Sequence, residues 1–302
     1  MDSYNLYWPV YQNLEDEFLN ITHFIHFDDN QLNIYSEKFV DLLLRIWVEI
    51  ESISKQLYID NGGEVITPES EMYFDTICID YLEQIWKLSS KLVYISNASM
   101  YFSSDNSILY PLKKANKRGT SGSKWKKAYQ AIKHNRFNNF KQGNLSNCIN
   151  SLAALYILNI YYKNKEYKLG DEKGVNSFDL SQGSKIFSIK TCKCSSFDGK
   201  IKDDDESIYI INYTDSFIAK WNENNILLNK TLIEEIVKDS KFIDELNNKN
   251  VSLKDLSDVT KIQNIIGADK YVEHLKVALQ KSNINNLISN QQFRAYLNKS
   301  NN

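Results

Sequence analysis

His134 stands among cations: Lys133 precedes it, and Lys127 lies two helical turns earlier. A neutral imidazole can take a proton, and an adjacent lysine can stabilise the charge that develops on a phosphate. The surrounding stretch strengthens that reading. No Asp or Glu occurs between Asp105 and Glu166, while the same window holds Lys113, Lys114, Lys117, Arg118, Lys124, Lys126, Lys127, Lys133, Arg136, Lys141, Lys163 and Lys165. The formal charge of the 302-residue chain is only −2, so the positive charge is segregated locally. Such a stripe suits a polyanion, most simply nucleic acid. A solvated lysine-rich face is the plainer alternative.

Residues 124–141 read as one helix. Trp125, Ala128, Tyr129, Ile132, Arg136 and Phe140 share one side of it at 3.6 residues per turn. Arg136 falls in the middle of that apolar side. A buried guanidinium without a counter-charge is costly, so a carboxylate is expected opposite it. Lys127, Gln130, His134, Asn138 and Lys141 occupy the other side, which places His134 toward solvent.

Other elements must position this helix. Residues 36–58 form an amphipathic helix with the stripe Phe39, Leu42, Leu43, Ile46, Ile50, Ile53 and Leu57. Glu49 and Glu51 flank that stripe, and either could reach Arg136. Asn61-Gly62-Gly63 stops the helix. A shorter helix is expected within 14–26 and a second long one over 69–96. Residues 97–123 read as a loop with an apolar anchor at 108–112, followed by the Lys-, Gly- and Ser-rich segment 113–124. Residues 145–162 are apolar nearly all round, as in the centre of a bundle or at a subunit interface. The simplest architecture is mainly α: an antiparallel helical bundle over residues 1–165, followed by a smaller α+β region over 166–302. In that second region a β-hairpin is expected over 177–190 and a strand over 207–213. An acidic loop lies between them at 202–206. Helices are expected near 226–246, 252–266, 269–281 and 287–297, with a frayed end.

Composition narrows the chemistry further. Forty-two per cent hydrophobic residues suffice for a packed core, and three Pro and ten Gly favour long helices. Cys78 and Cys148 sit in apolar patterns, and Cys192 and Cys194 form a lone C-x-C without partners for a zinc set. His23 and His26 alternate with Phe and Ile and read as core or edge residues. No metal or cofactor is expected, since no Gly-rich phosphate loop, GxSxG elbow, HExxH or paired CxxC motif occurs. No signal peptide or membrane-length apolar run is seen, so the cytoplasm is the expected compartment.

The charged helix bearing Glu49 and Glu51, the run Trp125…Tyr129…Lys133-His134-Asn135-Arg136, and the apolar helix 145–162 together resemble the HEPN superfamily. That resemblance covers roughly residues 30–165. It implies a helical bundle that forms homodimers, as in bacterial toxin and phage-defence proteins. In active members it also implies a metal-independent endoribonuclease working through the RNA 2′-hydroxyl. On that reading His134 handles the proton, Lys133 or Arg136 supplies the cation, and Asn135 orients. Lys113, Lys114, Lys117, Arg118, Lys124, Lys126, Lys127 and Lys141 would hold the RNA. The family signature places Arg four to six residues before His, however, and here Arg136 follows His134. The alternative is therefore a non-catalytic module that binds nucleic acid, a nucleotide or a protein partner.

Overall fold

The computed structural model describes residues 5–170, 177–200, 204–248 and 250–299. The fold is mainly helical with a small sheet component. In chain order the helices are α1 (Tyr7–Ile21), α2 (Glu37–Asp60), α3 (Asp80–Trp86), α4 (Ser104–Ser107), α5 (Lys124–His134), α6 (Arg136–Asn139), α7 (Leu145–Lys163), α8 (Asp215–Lys238), α9 (Ser240–Asn247), α10 (Val259–Ile266), α11 (Ala268–Ser282) and α12 (Ile284–Ser289). None of the described helices is long and apolar enough to cross a membrane.

Helix α2 forms where its stripe predicts. Ser36 caps it by accepting from the Phe39 amide, and Phe39, Leu42, Leu43, Ile46, Ile50, Ile53 and Leu57 are all buried. Helix α7 is buried on nearly every face, as its all-round apolarity requires. Asn144 caps it through the Asn147 amide. The two helices start at the same end of the bundle, since the Leu145 amide donates to Ile34 O and the Ser36 amide to Gly143 O. They run side by side in one direction, so the bundle is not antiparallel throughout. Helices α1 and α5 run against α2. Phe18 packs near Phe39 while Tyr7 bonds Ser52, and Trp125 meets Trp47 while Ile132 joins Val40 and Leu43. The Trp47 and Tyr129 rings stack at 3.8 Å and lock α5 onto α2.

Residues 69–96 do not make one long helix. A short turn at Glu69–Glu71 leads into a π-helical segment at Phe74–Ile79, then α3. Lys87 adopts left-handed backbone, and Glu83 accepts from both the Ser89 amide and its hydroxyl, which ends the helix. The β-branched and aromatic residues that follow form strand Val93–Ile95 instead. It pairs with Ile108–Leu109 on one side and Phe187–Ile189 on the other. The expected loop 97–123 thus contains a strand and α4. It also contributes Met100–Tyr101, which pairs with Phe27–Asp28.

The hairpin expected over 177–190 is likewise replaced. Phe187–Ile189 is committed to Val93–Ile95, because the buried Glu15 carboxylate collects the Tyr11 hydroxyl, the Ser184 hydroxyl and the Lys185 and Ile186 amides. That network turns the chain into α1. The main core therefore continues past residue 165 to Ile186, Phe187, Ile189, Tyr209, Ala295 and Leu297. A four-stranded sheet runs in the order Tyr167–Leu169, Phe293–Leu297, Tyr209–Tyr213, Thr191–Lys193. Its second strand stands where a helical, frayed end was expected: Ala295 and Leu297 face inward in alternation. A separate small core of Ile236, Phe242, Val251, Ile262, Ile266 and Tyr271 joins α8 to α11. Residues 202 and 203 of the acidic loop lie outside the described residues. Asp204 and Glu206 pair with Lys190, and Asp205 with Lys87, so none of them neutralises the basic stripe.

Candidate nucleic-acid interface

The segment between Tyr110 and α5 is a shaped loop. Trp125 Nε1 donates to Pro111 O at 2.8 Å, and Leu112 and Ala115 are buried, so apolar contacts pin its first half. Its second half is pinned by charge. Lys126 is buried in the first turn of α5 and donates to Asp75 Oδ2 at 3.0 Å, Ala115 O at 2.7 Å and Lys117 O at 2.8 Å. Arg118 reaches the other oxygen of Asp75 at 2.8 Å and lies 4.0 Å from the centre of the Tyr73 ring. Gly119 takes a left-handed φ of 60° at the tip, where a side chain would be strained. Asp75 thus ties the loop, through Arg118, and the first turn of α5, through Lys126, to the π-helical segment. Burial alone would raise its pKa, but the Lys126 bond and field, with Arg118, hold the carboxyl below its usual range. Burial draws the Lys126 ammonium below the ordinary lysine range despite that partner.

Two clefts flank the loop. One, of about 610 Å³, is lined by Asp75, Lys117, Arg118, Lys126, Lys127 and Gln130 among others. The other, of about 430 Å³, includes Tyr110, Lys113, Lys114, Ser123, Lys124, Lys127 and Asn150 in its wall. Lys127 lines both. Seven of the eight cations expected to hold nucleic acid are therefore gathered around one loop, and Lys141 alone stands apart. Asp75 is the single carboxylate in either wall among the described residues. Lys126 and Arg118 are committed to it, and Lys117 lies 3.9 Å from Asp80. Lys113, Lys114, Lys124 and Lys127 have no ion-pair partner among the described residues, and all four are exposed. Lys126 is consequently a structural cation and not a surface contact.

The expected catalytic group sits elsewhere. Helix α5 ends at His134, and Asn135 leaves helical backbone to cap α6 by accepting from the Asn138 amide at 3.1 Å. Lys133, His134, Asn135 and Arg136 are all exposed at this break. Arg136 is not on the buried face, and no carboxylate pairs with it among the described residues. Glu51 instead pairs with Lys55 at 3.1 Å, and Glu49 has no ion-pair partner there, with burial raising its pKa. The physical reason is the single non-helical residue, which shifts the register beyond 134. His134 faces outward, and neither cleft beside the loop contains it.

No protein-family model, curated protein or solved structure matches this chain. The site therefore rests on its own geometry. No group of three or more His, Cys, Asp or Glu among the described residues could hold a metal ion. Two contributors escaped the sequence reading. Asp75 was indistinguishable from a carboxylate on an ordinary helix. The signal that could have found it is the acid-free window, which obliges a buried Lys126 to seek its counter-ion outside residues 106–165. Ser123, at the start of α5, carried no signal beyond its position before a helix.

Proposed function

We propose that this protein binds a nucleic-acid strand across the loop 117–123, with the phosphates on the two flanking clefts. The observation that carries this is the convergence of Lys113, Lys114, Lys124 and Lys127, free of carboxylates, beside a loop held in place by Asp75. The resemblance to HEPN proteins favours RNA over DNA. Salt-dependent affinity for single-stranded RNA, measured by fluorescence anisotropy, tests the proposal. Lys124→Gln combined with Lys127→Gln should weaken binding and flatten the salt dependence, by about one ion for each phosphate that is no longer neutralised. Affinity unaffected by that pair, or by salt, would refute it.

A second reading is a HEPN-like, metal-independent endoribonuclease of a defence or toxin system. It is supported by the exposed cluster Lys133, His134 and Arg136, beside which Phe137 is 94% exposed. An exposed aromatic ring next to cations is suited to stacking on a base. In this reading a second copy of the chain would complete the site over that tip. Incubation with RNA in EDTA, wild type beside His134→Ala, tests it. RNA cleaved by the wild type and spared by the variant would support it, and RNA left intact by both would exclude it for the protein alone.

A further inference from the structure

Helix α5 begins without the cap its sequence offers. Ser123 stands at the capping position, where a serine side chain normally accepts from an amide of the first turn. Here it makes no such bond. The first-turn amides of a helix have no acceptor within the helix. Ser123 is only 8% exposed, and its Oγ has no hydrogen-bond partner among the described residues. No acidic side chain lies in the first turn of α5 to meet the helix dipole. Ser123 is part of the wall of the 430 Å³ cleft, with Lys113, Lys114, Lys124 and Lys127. A buried hydroxyl without a partner, an uncapped helix start and lysines without carboxylates all lack the same thing, an anion.

Helix α7, whose first turn also borders this cleft through Ser146 and Asn147, provides the contrast. Its Leu145 amide donates to Ile34 O, its Ser146 amide to Leu32 O and its Asn147 amide to Asn144 Oδ1. Those donors are used within the fold. The first-turn amides of α5 have no such acceptor among the described residues.

We propose that this cleft is a phosphate-binding subsite, in which one phosphate group accepts from the α5 first-turn amides and the Ser123 hydroxyl and is neutralised by Lys124 with Lys113, Lys114 or Lys127. The proposal deepens the nucleic-acid reading and rests on it for the source of the phosphate. An internal phosphodiester, a terminal phosphate and free inorganic phosphate share the chemistry that the site recognises.

The experiment separates the subsite from that reading. The melting temperature of the full chain is measured in inorganic phosphate and in chloride at matched ionic strength, because a ligand that binds the native state raises it. Phosphate should stabilise the wild type beyond chloride. Ser123→Ala should abolish most of that gain, and Lys124→Gln should reduce it. In chloride Ser123→Ala should melt at or above the wild-type temperature, since the hydroxyl it removes bonds nothing. Lys141→Gln, away from the cleft, should retain the full gain. No phosphate gain in the wild type, or an undiminished gain in Ser123→Ala and Lys124→Gln, overturns the subsite. RNA binding is then measured with 5′-phosphorylated and 5′-hydroxyl strands. RNA binding without a phosphate gain overturns the subsite and spares the wider reading. A phosphate gain without RNA binding does the reverse. A several-fold preference for the 5′-phosphate, abolished in Ser123→Ala, assigns the terminal phosphate as the source. Equal affinity, with both strands weakened in Ser123→Ala, assigns the internal diester.

Discussion

Replacing Asp75 by Asn tests the clamp that shapes the loop before α5. Asp75 and Lys126 are each only 6% exposed as side chains, and their atoms lie 3.0 Å apart. Removing one charge of a buried pair costs about 3–5 kcal/mol, because the other is left without compensation. Lys126 would keep two carbonyl acceptors, Ala115 O and Lys117 O, so the lower end, about 3 kcal/mol, is expected. For a chain of this size that is roughly 5–10 °C in melting temperature. The pH dependence has a defined sign. The folded pKa of Asp75 is held below its unfolded value, so its contribution is complete above about pH 4 and fades as pH falls through the folded pKa. The deficit of Asp75→Asn should therefore shrink in acid. It should shrink again as pH rises toward about 10, where the stranded Lys126 can shed its proton. Thermal and urea unfolding across pH, with Lys126→Met completing a double-mutant cycle, measures both effects. A neutral-pH shift below about 2 °C, or a coupling energy near zero, would refute the clamp. The substitution also separates position from charge. It adds one unit of positive charge to the interface, yet it frees the loop that carries Arg118. Weaker RNA binding is expected, whereas simple charge counting expects stronger.

Three further substitutions probe the frame. Glu15→Gln should lower stability by about 2–4 kcal/mol in urea unfolding, because its amide group would face donors that the carboxylate now satisfies. Gly143→Ala would drive a Cβ into Val40 Cγ2 and to 3.0 Å from the Val40 Cα, where α7 starts against α2, and should cost about 1–3 kcal/mol by the same measurement. Arg136→Ala should leave the melting temperature unchanged, since Arg136 is exposed; a fall of several degrees would restore the buried position that the helical wheel assigned to it.

How much of this was legible in the sequence depended on the range of the interactions. The cores of α2 and α7 were readable because their signals are local: an apolar stripe with Ser36 before it, and an apolar run with Asn144 before it. The charge segregation was equally visible, and seven of the eight cations it singled out lie around one loop. Arg136 misled because the wheel assumes one unbroken helix, while Asn135 finds a better bond as the cap of α6. The segment 69–96 looked helical by periodicity, but Val93–Ile95 gains strand partners from residues 108–109 and 187–189, the latter more than ninety positions away. The expected hairpin failed for the same reason, since Glu15 draws its second strand toward α1. Asp75 and Ser123 matter through what surrounds them in space, and nothing in their neighbours in sequence announces it.

The most direct test of the central claim is the affinity of single-stranded RNA for the wild type, for Lys124→Gln/Lys127→Gln and for Lys141→Gln, each across a salt series. The predicted result is steep salt dependence in the wild type, a clear loss of affinity and a shallower slope in the cleft variant, and near wild-type behaviour for Lys141→Gln. Equal losses in both variants, or RNA binding indifferent to salt, would contradict it.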